Sequence, residues 1–575
     1  MSGANGEGFD RLGQEYLDAS LRLQPTRASS LGYHACDGLL EDMSEAGLRE
    51  AAGTFQRFRA RMEGIDPKRL DLRRRIDHAL LLHDIRYNLF LLEKLQPHRW
   101  DPSIVNDILG YSTLFLTLLP SGAPEWAERL QSLCERMAGY PRLLDQAREV
   151  LSDPSRIHVE FVVGANQANI RFFEETVPQL AERAPHLRGD LERGAAGAIA
   201  ALRRYQRWLE EDLLPRAQRG WRLGRALWEE KLRFTLESDL SPESIRERAE
   251  AALREERAAM LAIAEPLHEK LYPGHTHPER GEARIDVIVP EVIARVSESH
   301  SRPDRIYEDV QRWLEKIRRF LAQHPLVTLP PPSDPFVVEP TPGFLNGLAV
   351  AFFNPPPAFE PHLKKSFWIS SVEGKPEGFV ESFLREYNDY ALQDLTVHEA
   401  FPGHYVQFWH ALGSPVASIY QKVYASSTFA EGWAVLAEKT VYDAGYADGE
   451  PENLLIHKKM QLRTYINALL DQRFHVTPEG EASDDELDAW AMDLMCRAGF
   501  QERAEAEGKI RRAKVSSTQL STYFVGFLEL DAIREQARRT AGDAFDLQVF
   551  HDKLLSYGTI PPRRVRMLLQ QEGVL

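Results

Sequence analysis

The chain has 575 residues, 43% hydrophobic and 27% charged, with 70 basic against 86 acidic residues and a formal net charge of −16. That is a globular composition with room for a large core and, by length, for several domains, and its acidic balance gives no general help toward nucleic acid or anionic lipid. Cys36, Cys134 and Cys496 are too scattered for a disulfide framework or a cysteine-based zinc site, no apolar run reaches about 18 residues, and the N-terminus lacks a basic stretch followed by an apolar one. A cytoplasmic protein with no nucleic-acid and no membrane partner is the expectation.

Residues 10 to about 325 read as mostly helical, with apolar side chains recurring at three and four spacing, as in Leu81 to Leu92. Ser241-Pro242-Glu243 is a helix start, combining a capping hydroxyl, a proline at the first helical position and an acid in the first turn. That helix extends to about Leu271 and ends at Tyr272-Pro273-Gly274. His275-Thr276-His277 follows in a loop, without an acid at suitable spacing, and is assigned no role. No fixed-period repeat occurs, which excludes a solenoid. Prolines at 325, 330, 331, 332, 335, 340 and 342 then forbid a helix and favour extended or turn backbone. Gly347 to Phe353 and Ser366 to Val372 have strand character and suit a small sheet. From Glu377 the pattern is helical to the C-terminus. The fold expected is mainly α, with residues 1–325 as a helical wall and 326–575 as a catalytic region, the two closely packed and possibly one domain.

The segment that carries chemistry is His398-Glu399-Ala400-Phe401-Pro402-Gly403-His404. Imidazoles bind zinc, and an adjoining carboxylate is suited to take a proton from a metal-activated water. The familiar zinc-hydrolase spacing puts the second histidine four residues after the first; here it comes six after. Six residues of ideal helix turn about 600°, which leaves the two histidines roughly 120° apart. Pro402-Gly403 lies where a break would re-aim the second one. Phe429-Ala430-Glu431-Gly432-Trp433 supplies a carboxylate on a later helix, far enough on for the chain to return. Two histidines and Glu431 leave a coordination position for water. Glu438, seven residues further on the same face, is placed to orient a ligand histidine. His410 reads as a core residue.

These motifs resemble the large bacterial family catalogued as "domain of unknown function 885". Gln519-Leu520-Ser521-Thr522-Tyr523-Phe524-Val525-Gly526 with Arg534 is similar to a Gln-x-x-x-Tyr-x-x-Gly segment of that family. Phe550-His551-Asp552 with Gly558 and Pro561, and Pro25 to Asp42, extend the resemblance to both ends. The family is grouped with thermolysin-like (gluzincin) zinc peptidases, although for much of it no activity is assigned. The resemblance implies one zinc ion per chain, His398, His404 and Glu431 as ligands, and Glu399 as base. It also implies a zincin-like helix pair beside the small sheet, with a substrate cleft between two helical halves.

Beside such a metal, Tyr523 is the candidate donor to the oxyanion of the attacked carbonyl; His551 is a second, although a structural histidine at a helix N-terminus is its favoured reading. Arg534 is a candidate for a substrate carboxylate, with a structural ion pair as the equal alternative. The Trp368-Ile369-Ser370-Ser371 run is a candidate edge strand for an extended peptide, with a plain structural strand the more ordinary reading. The function expected is a zinc-dependent hydrolase of amide bonds, a peptidase acting on short or unfolded peptides. The alternatives are a metal-dependent hydrolase of a non-peptide amide or ester, and a non-catalytic helical scaffold. Substrate identity, exo- or endo-action and oligomeric state are left open by the sequence.

Overall fold

Helices carry 72% of the chain, and their ends follow local chemistry. The computed structural model describes residues 2–114, 125–341 and 350–575. Ser241 accepts the Ser244 N–H at 3.2 Å, and its helix runs Pro242–Leu271. Gly274, at φ 80°, then turns the chain in a conformation that disfavours any side chain. The helix Ile306–Gln323 stops just short of Pro325. Helical structure resumes at Glu377, where the periodic pattern predicts it.

The small sheet holds β1 (Phe336–Pro340), β2 (Ala351–Asn354) and β3 (Lys365–Ile369) in the order β1-β3-β2. The two predicted strands pair antiparallel, with Ala351 opposite Ile369. The first begins at Ala351; Gly347, Leu348 and Ala349 of the predicted run, and Pro342, lie outside the described residues. β1 comes from the proline-rich stretch and runs parallel to β3. Pro340 is tolerated there because β1 is an edge strand.

This third strand corrects the reading of Trp368. β3 is central, paired on both sides, so its backbone has no edge to offer a peptide. Trp368 is 2% exposed and donates its indole N–H to Glu339 at 3.0 Å.

The helices that carry the candidate residues and their partners include α1 (Asp389–Glu399), α2 (His404–Gly413), α3 (Ser427–Asp443), α4 (Pro451–Val476), α5 (Arg503–Val515), α6 (Thr522–Ala541) and α7 (Leu547–Ser556). One core joins Ile76, Val310 and Ile317 to Phe367 of β3, Val397 of α1 and Leu436 of α3. A second joins the helices of residues 242–296 to α4 and α6. A third joins Phe9, Tyr16 and Ile85 to Leu412, Tyr420 and Tyr424. All three cross residue 325, so the two regions share their interiors.

Candidate metal centre

α1 starts where the Asn388 side chain accepts the N–H groups of Tyr390 and Ala391, both at 3.1 Å. It ends at Glu399, and the backbone leaves helical geometry at Ala400, with φ −117° and ψ −88°. α2 begins afresh at His404, so the break falls at the residues that predict it. Gly403 is required by close approach: a Cβ there would overlap the carbonyl oxygens of Val397 and His398. Trp433 of α3 fastens the break, its indole N–H 3.0 Å from the Pro402 carbonyl and 3.3 Å from that of Gly403.

The re-aimed turn brings His404 back to His398, their rings 4.8 Å apart and nearly perpendicular. Glu431 Oε2 lies 3.6 Å from His398 Nε2 and 3.5 Å from His404 Nε2. Metal–ligand bonds of about 2.0–2.1 Å at tetrahedral angles would separate ligand atoms by about 3.4 Å. The donor set and its spacing therefore fit a zinc-like ion. On the far side of the ring, His398 Nδ1 hydrogen-bonds Glu438, which also accepts from Gln461 Nε2 at 2.6 Å. That is the contact expected of Glu438. Behind it, Asp394 and His457 form a buried pair at 2.7 Å. Neither residue was singled out from sequence, although Asp394 sits one helical turn before His398.

The electrostatics match a preformed cation site. Burial opposes charge on His398, but Glu431 and Glu438 outweigh it and hold the imidazole well above its usual range. Burial likewise opposes charge on Glu431, yet His398 and His404 hold its carboxyl far below normal. Glu399 moves the other way: burial raises it, against the lowering effect of both histidines. One of its oxygens accepts the Phe353 N–H of β2 at 2.8 Å, tying this carboxylate to the sheet.

His398, Glu399 and Tyr523 line one cavity of about 970 Å³. Its lining also includes Phe161, Gly164 and Ala168 of the helix Arg156–Arg183. A neighbouring cavity of about 1230 Å³, lined by Ile157, Asp488 and Arg497 among others, reaches none of the three. The Tyr523 ring stacks 6.4 Å from that of His398. Burial and the Glu431 carboxylate raise its phenol above its ordinary value, so it keeps its proton. Gly526 explains why Tyr523 reaches the site. A Cβ on Gly526 or Gly432 would overlap the backbone of the other helix, so these glycines let α3 and α6 touch.

Arg534 and His551 are placed elsewhere. Arg534 is 4% exposed and donates to Thr440 at 2.7 Å and Asp531 at 2.6 Å, which joins α6 to α3 and corrects its assignment to a substrate carboxylate. His551 bonds the Leu326 carbonyl through Nδ1 at 2.8 Å and packs edge-on against Trp433. Burial pushes it down to about 3, so it is neutral and reads as a structural residue. His410 is largely buried, its side chain 11% exposed, and takes no part in the centre: its Nε2 lies 2.8 Å from the Thr328 carbonyl. Positive charge instead enters the cavity wall from Arg463, Lys509 and Arg512, which sequence periodicity does not separate from other helix-face cations. Burial, then Arg512 and Arg463, push Lys509 down to about 7.

The chain belongs to the family described as "Bacterial protein of unknown function (DUF885)", whose pattern matches residues 25–569. It is similar to a solved structure from Shewanella oneidensis described as a "putative lipoprotein of unknown function": TM-score 0.79, 28% identity, covering 98% of this chain and 99% of that one. A structure from Colwellia psychrerythraea, described as a "putative lipoprotein", shares the fold at TM-score 0.76 and 16% identity, covering 98% and 99%. No curated protein matches. Among the described residues no helix is long and apolar enough to cross a membrane.

Proposed function

We propose that the protein is a metal-dependent hydrolase of amide bonds, a peptidase for short or unfolded peptides, of the thermolysin-like type. The observation that carries this is the convergence of His398, His404 and Glu431 at tetrahedral spacing, with Glu399 adjoining. A divalent ion, zinc by its ligand set, would be held at this centre and would supply the Lewis acidity that eases deprotonation of water and polarises a carbonyl.

The chain's own residues do the rest. Glu399, raised by burial, takes a proton from water on its carboxylate and delivers it to the leaving amine. The Phe353 N–H holds that carboxylate in place. Tyr523, protonated and beside His398, donates to the oxygen of the attacked carbonyl. Arg512, whose side-chain partners are Gln519 and Tyr523, suits a substrate bearing a carboxylate, the role considered for Arg534 from sequence.

The test is Glu399→Gln assayed against a peptide library with the zinc-loaded protein. Zinc content should stay at wild-type level while turnover falls by about 10²–10⁴-fold. Full activity in this variant would remove Glu399 from the mechanism. A wild-type protein that takes up no divalent ion would overturn the reading altogether.

A further inference from the structure

A second group of ligand-type side chains lies outside this centre, where His275-Thr276-His277 was assigned no role. The last turn of the helix Pro242–Leu271 presents His268. The chain then doubles back at Gly274, with the His275 N–H donating to the Tyr272 carbonyl at 3.0 Å. This hairpin sets His275 and His277 against His268, with ring centroids 4.6–5.6 Å apart. The next helix, Glu282–Val296, contributes Glu291. A single oxygen, Glu291 Oε2, lies 2.8 Å from His268 Nε2, 3.1 Å from His277 Nε2 and 3.8 Å from His275 Nε2. The acid missing from the local sequence is supplied by the returning helix.

Three imidazoles aimed at one carboxylate oxygen are poorly explained as ion pairs. Glu291 can neutralise one imidazolium, and three charged rings this close would repel one another. His275 is also too far for a hydrogen bond, yet its Nε2 points the same way. As neutral rings, all three present a lone pair to a common point beside a carboxylate. The spacings bracket the roughly 3.4 Å between ligands of a tetrahedral ion with bonds of about 2.0–2.1 Å.

The surroundings hold this frame in place. The Tyr272 hydroxyl donates to the Glu291 carbonyl at 3.2 Å, and Arg284 donates to the His277 carbonyl at 3.0 Å. Glu279 Oε2 has no hydrogen-bond partner among the described residues and lies 3.8 Å from His277 Nδ1, on the side away from Glu291.

We propose that His268, His275, His277 and Glu291 bind a divalent transition-metal ion, zinc or one of similar preference for imidazole, that clamps the helices Pro242–Leu271 and Glu282–Val296 together. Four protein ligands close the coordination shell, so the ion is structural rather than catalytic. The site shares no residue with the His398 centre and stands whether or not that centre is catalytic.

The test uses the full chain with His398→Ala and Glu431→Ala together, which removes the first centre. After chelation and dialysis against micromolar zinc, this variant should retain one zinc per chain, and zinc should raise its melting temperature by a few degrees. Adding His277→Ala should abolish both effects. Adding Glu291→Gln should weaken zinc retention at least tenfold; helical circular dichroism should remain unchanged in the metal-free form of each. Cobalt(II) should give the visible bands of a four-coordinate ion only while His277 is present. No zinc retained in the double variant, or retention that survives His277→Ala, overturns the proposal and leaves the reading of the His398 centre untouched.

Discussion

His398 is gripped from two sides, and that grip decides what it can bind. Glu438 fixes the ring through Nδ1, which leaves Nε2 pointed at Glu431 and raises its basicity. Burial and the nearby Asp394 push Glu438 up to about 7, while His398 and His457 pull it the other way. Glu438→Gln keeps the shape but removes the charge. It should weaken zinc affinity by about 10–100-fold, measured by competition with a chromophoric chelator. Unchanged affinity would mean that the contact only packs the helices. At this scale the sequence is informative where ligand chemistry is local: His398, Glu399 and His404 announce themselves, and Glu431 and Glu438 share a face one helix later. His457, Gln461 and Lys509 do not, because their only distinguishing property is what they meet across the fold. Arg534 misleads for the same reason, since Thr440 and Asp531 hold its guanidinium inside the protein, where burial keeps it from a substrate.

Helix crossings set the distances between these residues. α3 carries Glu431 and α6 carries Tyr523, and they approach as closely as they do because Gly432 faces Gly526. Gly526→Ala would force a methyl into the backbone of α3, separating the helices and drawing Tyr523 from His398. Overpacking of this kind costs about 1–3 kcal/mol. The expected outcome is a loss of that size in chemical denaturation, accompanied by weaker zinc binding. Gly197→Ala is the control: it lies in the exposed middle of the helix Arg188–Trp208 with open space around the added methyl. It should stabilise by about 0.5–1 kcal/mol, because glycine is a poor helix former. Equal losses in the two variants would show that the crossing has no special role. Helix starts such as Ser241 and the break at Pro402-Gly403 are legible because their causes lie within a few residues. β1 is not, since Phe336-Val337-Val338 between prolines becomes a strand only by pairing with distant β3. That unpredicted pairing is what turned an apparent edge at Trp368 into the centre of the sheet.

Across the whole molecule, the proline-rich stretch after residue 325 marks a change of secondary structure and not a seam between independent units. Ile76, Leu80, Ile306, Val310, Leu314, Ile317 and Leu321, all before that point, share one core with Phe367, Val397, Phe401 and Leu436 after it. Burying each such side chain contributes about 1.5–3 kcal/mol, so losing these seven removes on the order of 10–20 kcal/mol. A protein's net stability is only about 5–15 kcal/mol. The second shared core would be cut as well, stripping α4 and α6 of the helices packed on them. Residues 326–575 expressed alone, although they hold every proposed ligand of the His398 centre, should therefore lack a cooperative thermal transition and a near-ultraviolet dichroism signal. They should also bind zinc far more weakly than the full chain, because Glu431 and the two histidines would no longer be held at ligand spacing. A fragment that melts cooperatively and binds zinc as the full chain does would place the structural boundary at 325 after all. It would reduce the N-terminal helices to a cover over a self-sufficient centre.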